Sequence, residues 1–248
     1  LVLANMALAG TIVYALTYQK PLLRLGILPF IMAFFLAAKE PNNSFTKVIF
    51  EWTTIGSYNI SWLYKFYFLK YLFIIIPGTF AGEWMLAATT KNIDNTKHNN
   101  VILVSALSII ISNVWLLFTR DLVLNLIIST MLVFVLHYYT RTRTLLHRLV
   151  QAGTYLLLLG LCFEAYEGGI KKDSSTYSYY FVTSGLAFFA LVCFEVALRQ
   201  MWLRKATNYL ALNGQNPMTA YVAGALLVTP LLVITNTKAY LDALQMNA

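Results

Sequence analysis

The stretch YKFYFLKYLFIIIPGTFAGE carries two lysines in an otherwise apolar setting. Lys65 lies close enough to the end of the stretch for its ammonium group to reach water, whereas Lys70 lies a turn and a half deeper. An ionisable group at that depth in a membrane is costly, so Lys70 predicts either a ligand-binding group or one half of a structural ion pair. We therefore take Lys70 as the first candidate binding residue.

The same stretch has features of a helix packed inside a bundle. Three tyrosines recur on one helical face, as in the aromatic belt of a membrane interface: Tyr64, Tyr67 and Tyr71. Pro77 removes one backbone hydrogen bond and is expected to kink the helix. Gly78 and Gly82 form a G-x-x-x-G pair, which predicts the close approach of a second helix.

Polar and charged residues concentrate in the segment CFEAYEGGIKKDSSTYSYY, residues 162–180. Carboxylates beside aromatic rings suit the hydroxyl and amino groups of carbohydrates, so Glu164, Glu167 and Lys171 are candidate substrate-binding residues. An earlier loop offers a similar pair of charges at the exit of an apolar segment: Lys39 and Glu40. The alternative for both loops is an ordinary solvated surface.

The segment ALNGQNPMTAY, residues 211–221, has the pattern of a helix start. Pro217 suits the first helical turn, where its missing N–H costs no hydrogen bond, and Asn216 suits the N-cap. Free amides at such a start bind anions, which predicts a site for a phosphate-bearing ligand. An ordinary helix start with interfacial charges is the alternative. The candidate residues, including two basic residues upstream, are Asn213, Gly214, Gln215, Asn216, Arg199 and Lys205.

Composition indicates the class of protein. Hydrophobic residues make up 59% of the 248 residues and charged residues only 11%, against about 45–50% and about 25% in soluble proteins. This balance predicts an integral membrane protein. The formal net charge of +8 is spread over short clusters between apolar runs, which fits membrane topology and not nucleic-acid binding. The sequence contains no Walker lysine loop, dinucleotide fingerprint, serine nucleophile elbow or metal-spaced Cys/His cluster.

The apolar runs predict an all-α fold, a polytopic bundle of eight spanning helices in a single transmembrane domain over residues 1–248. The predicted spans cover residues 1–18, 21–38, 63–88, 100–119, 121–139, 149–166, 178–198 and 208–234. The fourth and fifth are separated only by Thr119-Arg120-Asp121, which predicts a tight hairpin. Because the chain opens inside an apolar segment, we expect further helices upstream in a longer protein.

The charges in the loops between these spans predict the topology. Alternate loops carry ten basic residues against one acidic residue, Asp94, whereas the charges of the other loops cancel. The ten are Lys20, Arg24, Lys91, Lys97, Arg141, Arg143, Arg148, Arg199, Arg204 and Lys205. By the positive-inside rule these basic loops face the cytoplasm, which places residue 1 and the lysine end of the third span on the far side.

Four stretches together resemble a known family. They are LVLANMAL (1–8), FLAAKEP with LYKFYFLKYLFIIIPGTFAGE (35–41 and 63–83), EGGIKKDSSTYSYYFVTSGLA (167–187) and NGQNPMTAYVA (213–223). Over nearly all of its length the chain is similar to the later half of a bacterial inner-membrane family related to heparan-α-glucosaminide N-acetyltransferase. Some members of that family are described as N-acetylglucosamine-related membrane proteins.

The resemblance implies a transmembrane acyltransferase of the bacterial inner membrane. In this family acetyl-CoA is the co-substrate on the cytoplasmic side, and the acetyl group reaches an amino-sugar or glycan on the other side. The resemblance and the predicted topology together place part of the coenzyme A site at Asn213–Asn216, the sugar near the outer-loop charges, and Lys70 between them. No resident metal is implied. A sugar or solute transporter stays open as the second interpretation, because a broken helix with a buried lysine suits transport equally well.

The most diagnostic block of the family lies nearer its N-terminus, in an Asp-x-x-Arg-Gly helix and a later Trp-x-Asp-type helix, and this chain has neither. The histidine assigned to catalysis in the animal enzyme also lies in that part. We therefore carry over no catalytic histidine, and expect His98, His137 and His147 to be structural or interfacial. The catalytic residues are expected in upstream helices, so this chain alone is expected not to catalyse. The other expected partner is membrane lipid, and a homodimer stays open.

Overall fold

The computed structural model describes residues 2–37, 48–49, 54–55, 58–59, 65–89, 98–141, 144–172, 175–215, 222–235 and 237. These residues are almost entirely helical, which confirms the predicted all-α class. Within them, the one pair of strands is Thr54–Ile55 (β1) with Tyr58–Asn59 (β2), two residues each and antiparallel. The chain divides into two compact units, Leu1–Cys193 and Phe194–Ala248.

Seven helices follow one another up to Ala197. They are α1 (Val2–Thr17), α2 (Pro21–Ala37), α3 (Leu72–Thr89), α4 (Asn99–Thr119), α5 (Leu122–Thr140), α6 (Thr144–Glu167) and α7 (Tyr177–Ala197). A 3-10 helix, Phe66–Tyr71, leads directly into α3. The later part of the chain contains a 3-10 turn (Met201–Leu203), α8 (Arg204–Gln215), a π-helical turn (Gly224–Val228) and α9 (Thr229–Ile234).

Five helical segments of the described chain are long and apolar enough to cross a membrane, and the protein is an integral membrane protein. They are Phe66–Ala88, Asn99–Thr119, Leu122–Thr140, Leu145–Glu167 and Tyr177–Ala197. Helices α1 and α2 are apolar but shorter, with 16 and 17 residues. The predicted eighth span, 208–234, is divided among α8, the π-helical turn and α9, and residues 216–221 lie outside the described part.

The predicted tight hairpin between α4 and α5 is confirmed. Helix α4 ends at Thr119 and α5 begins at Leu122, so only two residues connect them. Arg120 adopts a left-handed conformation with φ of 61°, and the Asp121 N–H donates a 3.0 Å hydrogen bond to the Leu116 carbonyl. A left-handed residue just after a helix reverses the chain while satisfying the last free carbonyls.

Helices α6 and α7 approach each other closely at glycines. A Cβ atom added to Gly160 would lie 2.6 Å from Val182 Cγ2 and 2.7 Å from the Val182 backbone nitrogen. A Cβ added to Gly185 would lie 2.7 Å from the Leu157 backbone nitrogen. Because any larger residue would clash with backbone at these points, the two helices require glycine on both sides of the interface.

The close approach predicted at Gly78 and Gly82 is wrong. Both residues are exposed, and an added Cβ would meet no atom of the described residues within 4 Å. The contact between α1 and α3 is made instead at Gly10, where a Cβ would lie 2.7 Å from Ile75 Cγ2. The G-x-x-x-G spacing is present in α3, but no described helix approaches closely at these two glycines.

The interior of the first unit is formed mainly by apolar side chains of α3 to α7. Fully buried examples are Phe73, Ile76, Ile102, Ile109, Leu136, Leu146, Leu149, Leu157 and Phe189. Two tyrosines predicted for an interfacial belt join this interior. The Tyr71 ring meets the Tyr180 ring edge-on at 5.3 Å, and the Tyr67 hydroxyl is hydrogen-bonded to Ser175. They turn inward because the protein offers hydroxyl and ring partners; Tyr64 lies outside the described residues.

Candidate functional site

Lys70 lies in the 3-10 helix that leads into α3 and is buried, with 7% of its surface exposed. Its ammonium group donates a hydrogen bond to the Ser175 carbonyl across 3.1 Å. Three aromatic rings surround the ammonium, with centroids 4.9 Å away for Tyr67 and 5.3 Å for Phe35 and Tyr177. Each such ring stabilises a desolvated cation by about 2 kcal/mol. The Lys70 ammonium group, whose burial was predicted to be costly, is therefore stabilised by a carbonyl group and three aromatic rings.

Ser175 connects Lys70 to two tyrosines. Its backbone N–H donates to the Tyr67 hydroxyl across 2.6 Å, and its side-chain hydroxyl is hydrogen-bonded to the hydroxyls of Tyr67 and Tyr180. We call the following five residues the Lys70 cluster: Tyr67, Lys70, Ser175, Tyr177 and Tyr180. The cluster joins the entry to α3 with the start of α7, two segments 105 residues apart in sequence.

Glu167, predicted to bind substrate, stabilises the start of α7. Its two carboxylate oxygens accept hydrogen bonds of 2.9 Å from the backbone N–H groups of Tyr177 and Ser178. These N–H groups have no partner within the helix, and a negative charge at this end also complements the helix dipole. The adjoining turn needs Gly168 and Gly169, whose φ angles are +67° and +134°.

Glu164 lies one turn earlier in α6 and is buried, with 5% of its surface exposed. Its Oε2 atom has no hydrogen-bond partner among the described residues. The Arg120 guanidinium donates to the carbonyl of Gly168, four residues after Glu164, at 3.5 Å. An unused carboxylate oxygen in such a place is able to accept a hydrogen bond from a ligand or a water molecule.

A second charged centre lies at the other end of α3. Arg24, which was predicted to lie in a cytoplasmic loop, is in α2 and is completely buried. Its Nη2 atom lies 2.8 Å from Glu83 Oε1, and its Nη1 atom donates to the Thr79 hydroxyl at 3.1 Å. Glu83 is partly accessible, since 30% of its side chain is exposed. The prediction that Arg24 belongs to a cytoplasmic loop is therefore wrong.

Further groups complete the surroundings of Arg24. Its Nε atom donates to the Thr17 hydroxyl at 3.3 Å, and Nη2 also reaches the carbonyls of Thr17 and Tyr18. Its guanidinium carbon lies 4.7 Å from the Tyr14 ring centroid and 4.9 Å from that of Phe80. We call the following five residues the Arg24 cluster: Tyr14, Thr17, Arg24, Thr79 and Glu83. It ties α1, α2 and α3 together.

A cleft of about 580 Å³ opens between α1 and α3 beside the Arg24 cluster. Its walls are mostly apolar, and its polar groups come from Thr11, Tyr14, Thr79 and Glu83. The remaining lining residues are Met6, Ala7, Gly10, Ile75, Gly82 and Leu86. The partly exposed carboxylate of Glu83 is therefore accessible from the cleft.

The two clusters lie near opposite ends of one spanning segment, Phe66–Ala88. Lys70 is in its first turns, and Glu83 is thirteen residues later and five residues before its end. At a rise of about 1.5 Å per residue, about 20 Å of helix separates them. A single spanning segment therefore presents a buried cation near one membrane face and, near the other, a carboxylate that is paired with a buried arginine.

The predicted anion site lies in the second unit, and the structure describes part of it. Asn213, Gly214 and Gln215 form the last turn of α8, whereas the sequence pattern predicted that they precede the first turn of a helix at Pro217, a residue outside the described part of the chain. They lie at the C-terminal end of α8, which is continuous from Arg204 to Gln215. The predicted N-cap, Asn216, lies outside the described residues.

The basic residues predicted for the anion site have different surroundings. Arg199 forms a 2.5 Å ion pair with Glu195, one helical turn earlier. Lys205 is exposed in the first turn of α8. Of the charges predicted for the outer loops, Lys171 is exposed, and Lys39 and Glu40 lie outside the described residues. The structure brings Lys70 and Glu167 into one region through Tyr177, which contacts both.

The three histidines lie near helix ends and contact other rings. The His137 and His147 rings are 4.6 Å apart, and the His98 ring is 5.1 Å from that of Tyr139. His147 Nδ1 is buried and has no hydrogen-bond partner among the described residues. The contact between His137 and His147 was not predicted from the sequence. It forms because α6 runs back against α5.

Sequence reasoning also missed the Arg24 cluster as a site. The sequence did show one arginine and one glutamate inside two apolar runs. Each lies several residues from the end of its run that was predicted to face the cytoplasm. Opposite charges at similar depth in a membrane favour pairing, because each charge alone would be costly there.

Residues 1–85, about a third of the chain, match a protein family described as a domain of unknown function (DUF5009). The matched residues contain Arg24, Lys70 and Glu83 and all but one of the residues that line the cleft. No curated protein and no solved structure matches the chain.

Proposed function

We propose that the protein is part of a transmembrane acyltransferase that moves an acetyl group from cytoplasmic acetyl-CoA to an amino-sugar or glycan across the membrane. The observation that carries the proposal is the presence of two charged clusters near opposite ends of the Phe66–Ala88 segment. A protein that binds polar substrates at both membrane faces needs polar side chains near both faces. The sequence resemblance supplies the chemistry, acyl transfer to an amine.

The proposed topology has eight spans in a bacterial inner membrane, with the basic loops in the cytoplasm. In this arrangement the Lys70 cluster lies toward the periplasm and the Arg24 cluster toward the cytoplasm. Residue 1 lies on the periplasmic side in this arrangement, and no catalytic residue is assigned among residues 1–248. The five long apolar helices and the confirmed α4–α5 hairpin support this arrangement.

The amino-sugar is proposed to bind near the Lys70 cluster. Three aromatic rings and several hydroxyls lie within this cluster, and such groups suit sugar rings and their hydroxyls. The unpartnered oxygen of Glu164 is the proposed acceptor for an amine or hydroxyl proton. Further contacts are proposed for the outer-loop charges Lys39, Glu40, Glu167 and Lys171.

Coenzyme A is proposed to bind at the other membrane face. Its phosphates would be bound by the basic side chains of Arg199 and Lys205, and not by the backbone of Asn213–Gln215, because a helix C-terminus presents carbonyl groups. Arg199 would then have to exchange its ion pair with Glu195 for a phosphate contact. An arginine suits this exchange, because its planar guanidinium binds carboxylates and phosphates in the same two-point geometry.

A transporter for a sugar or a similar solute is the second candidate. The observation that favours it is the cleft between α1 and α3, which lies beside the helix that contains Pro77. Transporters often place substrates in clefts between helices that proline or glycine makes irregular. The two candidates differ in what reaches the periplasm, a transferred acetyl group or the solute itself.

The test is an acetyl-transfer assay on membrane vesicles that contain the complete natural protein. Labelled acetyl-CoA is supplied on the cytoplasmic side, and a panel of amino-sugars is supplied on the other. Labelled N-acetyl sugar that disappears with Lys70→Met and persists with Lys65→Met would support the proposal, since Lys65 is exposed at the same helix end. Saturable sugar uptake without acetyl transfer would refute it in favour of the transporter.

A further inference from the structure

Exposed apolar side chains occur among the residues that line the cleft between α1 and α3 and next to them in sequence. Leu86, which lines the cleft, is 76% exposed, and Leu8 and Ile12, which follow the lining residues Ala7 and Thr11, are 63% and 50% exposed. In an integral membrane protein such surfaces lie against hydrocarbon. A molecule that enters the cleft between these side chains therefore comes from the bilayer and carries an apolar chain.

One end of the cleft accepts hydrogen bonds. The Glu83 carboxylate is partly exposed there, with the Thr79 and Tyr14 side chains beside it. Arg24, which is completely buried, balances the charge of Glu83 through Oε1. An ionised carboxylate only accepts hydrogen bonds, so it favours a head group with N–H or O–H donors and repels a bare phosphate.

The size of the cleft is maintained by a glycine. Its volume of about 580 Å³ falls within the range of about 300–1,000 Å³ that is typical of small-molecule sites. Gly82 lines the cleft, and a Cβ placed there would meet no described atom within 4 Å. A larger residue at this position would project into the cleft without disturbing the packing of α3.

We propose that this cleft is a binding site for a membrane lipid whose head group donates hydrogen bonds to Glu83, through an ammonium or a hydroxyl group. The acyl chain would lie along the apolar wall formed by Met6, Ala7 and Ile75. The site does not depend on the acyltransferase activity proposed above, because its evidence is the cleft, the carboxylate and the exposed apolar side chains.

The test is photo-crosslinking in nanodiscs with a phosphatidylethanolamine that carries a diazirine on its acyl chain. Crosslinked peptides are mapped by mass spectrometry for the wild type and two glycine variants. We expect labelling concentrated in residues 6–14 and 75–86, and about tenfold less of it in Gly82→Leu. Gly78→Leu is the matched control, because Gly78 is exposed with equally open surroundings one turn away and does not line the cleft.

A second arm tests the head group. Unlabelled phosphatidylethanolamine should compete for the site, whereas phosphatidylcholine, whose trimethylated nitrogen has no N–H donor, should not. Equal competition by both lipids would overturn the head-group assignment. Labelling of the cleft no stronger than that of exposed residues on α5, such as Met131 and Phe134, would show ordinary surface lipid only. An unlabelled cleft beside a labelled α5 would show that protein fills it, which also overturns the proposal.

Discussion

The guanidinium of Arg24 and the carboxylate of Glu83, 59 residues apart in sequence, form an ion pair of 2.8 Å between α2 and α3. Arg24 is completely buried, and its donors are also directed at Thr17, Tyr18 and Thr79. An arginine without such partners is costly at membrane depth, by about 2.5 kcal/mol or more. The pair therefore fixes how α2 packs against α3.

Removal of either partner is predicted to have unequal effects. Glu83→Met leaves a completely buried arginine without its counter-charge, which is expected to lower the free energy of unfolding by about 3–5 kcal/mol. Arg24→Met is expected to cost less, because 30% of the Glu83 side chain is exposed. The measurement is the thermal unfolding midpoint of the purified protein in detergent.

The double variant Arg24→Met/Glu83→Met provides the control for this prediction. It removes both charges, so it should unfold at a higher temperature than Glu83→Met alone. A double variant that is less stable than Glu83→Met would show that the two side chains act independently, against the ion-pair account.

Lys70→Met is predicted to reduce activity by at least about tenfold, which corresponds to about 1.4 kcal/mol. The methionine preserves the length of the side chain but loses the Ser175 hydrogen bond and the attraction to three rings. Acetyl transfer or solute uptake by vesicles is the readout, normalised to the amount of inserted protein. Lys65→Met, at an exposed position of the same helix end, should match the wild type, and unchanged activity of Lys70→Met would remove Lys70 from the site.

The helices were predictable from sequence because membrane depth sets their length and composition. Loop charges were less informative about packing. Arg24 fitted the count of cytoplasmic charges, yet its side chain turns into the protein toward Glu83. Hydropathy records how deep a charge lies, and it does not record which helix lies beside it. The partner of a buried charge is therefore a property of helix arrangement, which this sequence alone does not reveal.

The glycines show the same limit. Gly78 and Gly82 have the spacing of a close helix contact but face open space in the described structure. Gly160 and Gly185, which belong to no G-x-x-x-G pair, lie where α6 and α7 touch. The spacing of small residues indicates that one face of a helix is flat. Which helix packs against that face depends on the arrangement of the whole bundle.

Alanine at two glycines is predicted to change stability in opposite directions. Gly185→Ala would place a Cβ atom 2.7 Å from the Leu157 backbone nitrogen, and such overpacking is expected to cost about 1–3 kcal/mol. Gly78→Ala has open surroundings and replaces a glycine inside a helix, which is expected to add about 0.5–1 kcal/mol. Unfolding midpoints measured in the same detergent check both signs. Equal midpoints for the two variants would contradict the close approach of α6 and α7.

Cysteine labelling is predicted to show Lys172 and Arg141 on opposite sides of the membrane. Both residues are exposed, one beyond the end of α6 and the other at the end of α5. Cys162 is exposed and must first be replaced by alanine, whereas Cys193 is buried. In intact cells a membrane-impermeant maleimide should label Lys172→Cys, and Arg141→Cys should react only after the membrane is opened. Labelling of both in intact cells would show that α6 does not cross the membrane between them, and labelling of Arg141→Cys alone would contradict the positive-inside assignment.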